Sequence, residues 1–178
     1  MEQYENIELV QPNEGMVDDI IKIKSNINTA NDYLDYDNES EYKTTPLEIL
    51  NEIVENETSK SKIWKIIQVN NGKDNTTKNI GFVLFYLSRL KRRCHVAEFS
   101  IGIIDNECHH GYGKEAINKA INLAKDNKIK VIKLTVDTRN KRAISLYMSV
   151  GFVICGFIKN SKFVKGEYRD EYLMTLNI

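Results

Sequence analysis

Two prolines in 178 residues leave long helices and strands almost unbroken. Three cysteines, an odd number without regular spacing, exclude a disulfide framework and set the expectation of a reducing, cytoplasmic setting. No apolar run approaches the roughly 20 residues that a membrane span requires, and no cationic-then-apolar leader opens the chain. Charge of one sign is missing too. The 25 basic and 25 acidic residues cancel, so a broad nucleic-acid footprint is not indicated. What remains is an ordinary globular composition. A chain of this length buries about 70% of its extended surface without staples, and one domain over residues 1–178 is expected. Neither an internal repeat nor a low-complexity tail interrupts it.

The most informative stretch is residues 94–152, centred on Cys108-His109-His110-Gly111-Tyr112-Gly113-Lys114. Ahead of it runs Phe99-Ser100-Ile101-Gly102-Ile103-Ile104. Behind it Ile117, Ala120, Ile121 and Ala124 repeat with helical period. The order is strand, glycine turn, helix. A helix start leaves backbone N–H groups unpaired and partly positive, and glycines let a bulky anion approach them. Glycines before a helix also serve simply to relieve a tight turn, and the turn alone does not separate the two. A Walker loop is excluded because Glu115 follows Gly113-Lys114, and the dinucleotide fingerprint lacks its third glycine. Cys108-His109-His110 has the composition of a metal cluster, but three consecutive residues rarely converge on one ion and no spaced partner lies near, so no metal is expected. No cysteine comes with a base and an orienting group for nucleophilic work.

Periodicity sets the rest. Residues 6–11 read as a strand, and Met16, Val17, Ile20, Ile21, Lys24 and Ile27 as an amphipathic helix. Residues 31–42 hold no period and read as loop. Thr45-Pro46-Leu47-Glu48 carries a capping box and proline at the first helical position, for a second helix to about Glu57. Strands follow at 63–69 and 79–90 around the polar loop 70–75. Lys91-Arg92-Arg93 suits a solvated hairpin tip better than a recognition patch. The Val131–Val136 run is a buried strand and residues 140–150 a helix. Closing strands at 152–158 and 168–176 flank a Lys165-Gly166 turn. Strand runs around one βα crossover make the expected class α/β, or α+β, with a mixed sheet.

Taken in order, the Cys108–Gly113 loop and Asn140-x-x-Ala143-x-x-Leu146-Tyr147-x-x-x-Gly151-Phe152 resemble the two motifs of the GNAT superfamily of acyl-CoA-dependent N-acetyltransferases. These are Gln/Arg-x-x-Gly-x-Gly/Ala and Asn-x-x-Ala-x-x-Leu-Tyr-x-x-x-Gly-Phe. Residues 166–174 are similar to the last strand of many members. The resemblance covers roughly residues 80–176 well and the front of the chain loosely. It departs at Cys108, which stands in the Gln/Arg slot and puts cofactor affinity in question; His109, His110 and Lys114 offer partial compensation.

That resemblance implies a fold of about seven strands and four helices, acetyl-CoA as co-substrate, and transfer of its acetyl group to a primary amine in a ternary complex. It implies that the strand before the glycine loop and its parallel neighbour splay apart around the pantetheine arm. Ile101, Gly102 and Ile103 would then offer backbone hydrogen bonds. His109, His110, Gly111, Tyr112, Gly113 and Lys114 would cradle the diphosphate, and Asn140 would bond to the arm. Tyr147 would be the acid for the leaving thiolate, and Glu98 the base for the amine. Gly102 also reads as a strand bulge, and Glu98 as an ordinary strand residue. Some peptide-acetylating relatives carry a glutamate where this chain has Thr135, which speaks mildly against that chemistry.

A small amine leads as acceptor. Acetylation of a protein N-terminus or lysine, and a non-catalytic acyl-CoA-binding module, stay open, as does a homodimer. Residues 32–42 concentrate five carboxylates and three tyrosines, among them Tyr33, Asp35 and Asp37. They suit a cationic acceptor, and they equally suit a solvated acidic loop.

Overall fold

The computed structural model describes residues 6–30, 33, 44–71 and 76–178, the side chains of 29 and 30 excepted. The elements run β1 (Asn6–Val10), α1 (Val17–Ala30), α2 (Pro46–Thr58), β2 (Lys62–Asn71), β3 (Thr76–Leu87), β4 (Val96–Ile103), α3 (Tyr112–Asp126), β5 (Val131–Asp137), α4 (Lys141–Ser149), β6 (Val153–Val164) and β7 (Glu167–Asn177). The seven strands form one sheet in the order β1-β2-β3-β4-β5-β7-β6, parallel at β4–β5 and antiparallel at every other pairing. The mixed sheet with four helices is the one expected from the sequence.

Both faces of the sheet are covered, because β2 to β5 carry apolar residues on alternate faces. One face holds Val83, Phe85, Ala97, Phe99, Ile132 and Leu134 against the Ile117, Ala120 and Ala124 stripe of α3 and Ile144 of α4. The other holds Trp64 and Ile66 against Ile20 of α1 and Ile49 and Ile53 of α2. The capping box of α2 forms as read: Glu48 N–H donates to Thr45 Oγ1 at 3.3 Å, and Thr45 N–H to Glu48 Oε2 at 2.8 Å. Lys91–Arg93 is an exposed 3₁₀ turn between β3 and β4. Among the described residues no helix is long and apolar enough to cross a membrane.

Two expectations shift. The 79–90 strand sits earlier, at Thr76–Leu87, since its pairing with β2 sets its ends. β6 does not stop at Ile158. It continues to Val164 through an irregularity, because β7 offers backbone partners on the far side of a polar stretch that breaks the apolar pattern.

Candidate functional site

The parallel pair opens almost as soon as it forms. β4 and β5 are in register at Val96↔Val131, Ala97↔Ile132 and Glu98↔Lys133, and there pairing ends, although β4 runs to Ile103 and β5 to Asp137. The direction of the freed groups follows from two bonds. Lys130 N–H reaches His95 C=O at 2.8 Å on the β5 side, and Ile104 N–H reaches Ile80 C=O at 2.9 Å on the β3 side. Successive residues of a strand point their amides to opposite sides. Ile101 and Ile103 therefore present backbone groups to the opening, while Gly102 spends its own on β3. A cleft of about 1330 Å³ runs through this gap, lined by Ile101, Gly102, Ile103, Thr135, Val136 and Tyr147.

Of the two readings given to Gly102, the bulge does not hold. Its register with Phe82 is regular, so it is no bulge. A Cβ there would meet Ile27 Cδ1 at 2.8 Å and Phe82 Cε1 at 3.2 Å, so the bare Cα lets α1 close onto β4.

The glycine loop leads from this gap into α3, and its two glycines do different work. Gly111 caps α3 with φ +87°, a left-handed conformation costly for other residues, and a Cβ on it would meet nothing within 4 Å. Its free side faces the cleft. Gly113 is a spacer: a Cβ there would come 3.2 Å from Leu146 Cδ2, so its absence lets α3 and α4 pack closely. Tyr112 is buried and its ring stacks on His110 at 5.6 Å, which leaves only its backbone for a ligand. His109 sits at φ 71° with Nε2 3.2 Å from Arg142 Nη1. The two histidines thus diverge, one to α4 and one to α3. Cys108 turns inward, its Sγ 3.5 Å from Ile104 C=O.

Lys114 lines the cleft, joined by Arg139, Lys141 and Arg142 from the start of α4. Sequence reasoning passed over these three bases, although Arg139-Asn140-Lys141-Arg142 at a helix start is a readable cationic cluster. Asn140 has its Oδ1 committed: it caps α4 by accepting from Ala143 N–H at 3.0 Å, which leaves Nδ2 as the donor for a bound arm. Tyr147 lies on α4 with its ring 5.7 Å from that of Phe152. Desolvation pushes its hydroxyl up to about 12. The residue is only part-buried by surface area, so water entering the cleft would draw that value back toward the ordinary one.

Glu98, Thr135 and Asp137 line the cleft on the opposite face of the sheet, where α1 and α2 lie. Glu98 Oε2 is 2.9 Å from Lys133 Nζ, and both side chains are about half exposed, the surroundings of a solvent-facing ion pair. Tyr33 also lines this side, and its C=O accepts from Lys162 Nζ at 2.7 Å. Asp35 and Asp37 lie outside the described residues. At the α2 end, Glu52 binds Lys24 at 2.7 Å, and the ammonium groups of Lys24 and Lys62 stand 5.5 and 5.3 Å from the Trp64 ring centre.

No sequence signal marked the remaining wall. β7 places Glu171 there, and β6 adds Lys162. Lys162 Nζ is 3.1 Å from Glu171 Oε1, and Arg169 Nη1 is 3.5 Å from Asp137 Oδ2. All four charged side chains are buried or nearly so.

The family model described as the acetyltransferase (GNAT) family matches residues 30–152. The L-amino acid N-acetyltransferase AaaT of Escherichia coli (strain K12) is 33% identical over 97 residues, which make up 53% of this chain and 59% of that protein. The match therefore spans little more than half the length of that curated relative. A GNAT-family acetyltransferase from Streptococcus pneumoniae superimposes with a TM-score of 0.84 at 23% identity, covering 97% of this chain and 100% of that one. Spermidine N-acetyltransferase from Vibrio cholerae, solved with CoA and spermine, gives 0.78 at 21% identity, covering 96% and 95%. At these identities the two structures speak for the fold.

Proposed function

This chain belongs to the acetyltransferase (GNAT) family, and from that premise we propose that it transfers an acetyl group from acetyl-CoA to the primary amine of a small molecule. The observation that carries the reading is the opening between β4 and β5. Amide groups of Ile101 and Ile103 face a gap that no β5 residue fills. Gly111, in its left-handed turn, and Tyr147 line the same cleft. An extended, amide-bearing arm satisfies such groups as a strand would. The helix start and the bases Lys114 and Arg142 suit its phosphates.

Acetyl-CoA, when bound, supplies the activated thioester. The chain's own residues do the remainder. Ile101 and Ile103 hold the arm in line, and Asn140 Nδ2 donates to it. Tyr147 keeps its proton at neutral pH and gives it to the departing thiolate. On the far face Glu98, the solvent-facing carboxylate, passes the amine's proton out through water. Direct transfer needs the two substrates side by side, and a cleft that passes through the sheet admits one from each face.

A small acceptor is supported by the relative named for L-amino acids, and a reducing compartment by three free cysteines. The test is acetyl-CoA titration together with a panel of amines assayed for CoA release. Absence of binding refutes the assignment. Binding without release for any amine turns the protein into an acyl-CoA-binding module.

A further inference from the structure

The wall of the cleft formed by β6 and β7 is built at some cost. Ile158 pairs with Glu171 and Lys162 with Arg169, so residues 159–161 face Asp170 alone. Asn160 occupies the left-handed region at φ 52°, and its N–H donates to Asp170 Oδ1 at 2.8 Å. Bulges of this kind re-aim side chains, and strained backbone gathers at functional sites. Beyond this bulge Lys162 lines the cleft, and Ser161 stays exposed. Ser161 Oγ donates to Glu171 Oε2, and Lys162 Nζ lies 3.1 Å from Glu171 Oε1. Asp137 is the register partner of Glu171, one strand closer to the gap. Its Oδ1 accepts from Arg139 N–H at 2.8 Å, while Oδ2 makes no hydrogen bond among the described residues, although its side chain is fully buried. Arg169 Nη1, 3.5 Å away, is its ion partner, so this buried oxygen is held by charge and not by a hydrogen bond.

We propose that the Lys162–Glu171 pair is the acceptor-recognition site, and that it selects α-amino acids as zwitterions. The proposal rests on the acetyltransferase reading and adds its substrate class. Each acid on this wall already has an internal base: Glu171 has Lys162, and Asp137 has Arg169. A polycation entering here displaces those bases and strands them in a buried site, which is strongly unfavourable. A zwitterion replaces them charge for charge. Its carboxylate takes Lys162, and its ammonium takes Glu171. Spacing points the same way. The two groups that separate to admit it start 3.1 Å apart, so a zwitterion whose charges are one carbon apart asks for the smallest opening of the pair. This differs from the cationic acceptor suggested by the acidic composition of residues 32–42.

The test uses matched trios: an L-amino acid, its carboxamide and its decarboxylated amine, across several side chains, with spermine as the polycation. The wild type is expected to prefer the acid in kcat/KM. Lys162→Met is expected to reduce the acid-to-amide ratio by about 10- to 100-fold, the worth of one charge-assisted hydrogen bond, with the change in KM, and Lys162→Arg to retain it. Equal use of acid and amide by the wild type overturns the proposal in favour of a peptide N-terminus, and preference for spermine overturns it in favour of a polycation. If Lys162→Met does not fold, the wild-type trios and Lys162→Arg decide alone. Acetyl-CoA binding without CoA release from any acceptor overturns the acetyltransferase reading itself, and the proposal with it.

Discussion

Replacing Tyr147 by phenylalanine removes one oxygen and little else. The ring keeps its contact with Phe152, and no hydrogen bond among the described residues is lost, so the fold and acetyl-CoA affinity should persist. With the phenol pushed up to about 12 by desolvation, only about one molecule in 10⁵ is ionised at pH 7, and the proton is available throughout the working range. A positioned acid contributes on the order of 10²–10⁴ in rate, about 2.7–5.4 kcal/mol of barrier. The assay is kcat for CoA release at saturating acetyl-CoA and acceptor, for both proteins, from about pH 7 to about pH 10. We expect kcat of the variant to fall within that range, and no falling limb from Tyr147 in the wild type below about pH 10. Stability supplies an independent reading. Above pH 10 the unfolded tyrosine ionises while the folded one does not, so wild-type stability falls, by at most roughly 1.4 kcal/mol per pH unit, up to the folded value near 12. Below pH 10 Tyr147 contributes no slope. An unchanged kcat would refute the acid role, and melting curves of the two proteins that stay parallel above pH 10 would refute the desolvated phenol.

Gly111→Val forces a branched side chain into a left-handed turn, a cost of roughly 1–2 kcal/mol or about 2–8 °C in Tm, at a residue that lines the cleft; the folded variant should lose acetyl-CoA binding in a titration, and retained binding removes the loop from the site. Gly113→Ala gains helix propensity of about 1 kcal/mol against a contact with the mobile end of Leu146, so its Tm should stay within about 2 °C of the wild type. Glu98→Gln should slow turnover more at neutral pH than at high pH, where the amine deprotonates unaided; a uniform loss across the profile reduces Glu98 to the partner of Lys133. Thr45→Ala removes one half of the capping box and should cost α2 about 1 kcal/mol, read as a shift in the denaturant midpoint; no shift means that packing of Ile49 and Ile53 alone holds the helix.

Most of the framework was legible because it is local. The stripe on α3, the capping box at Thr45, the Lys165-Gly166 turn and the ordered pair of motifs around Gly111 and Tyr147 are each written within about four helical turns of chain. Within such distances backbone geometry follows from side-chain period and from φ preferences. Register between strands is another matter. That β4 and β5 part after Glu98↔Lys133 is settled by pairing between segments 35 residues apart, and no local pattern reports it. The same limit applies to Gly102, whose reason for being glycine is Ile27, and to Gly113, which yields to Leu146. Its clearest instance is the far wall of the cleft. Lys162 lies beyond the strand expected at 152–158, and Glu171 inside the one expected at 168–176 is marked by nothing further, since a polar alternation says only which face a residue takes. A bulge in the edge strand and the contact of Lys162 with Tyr33 C=O set them at the cleft, because only the assembled sheet decides which of its faces water can still reach.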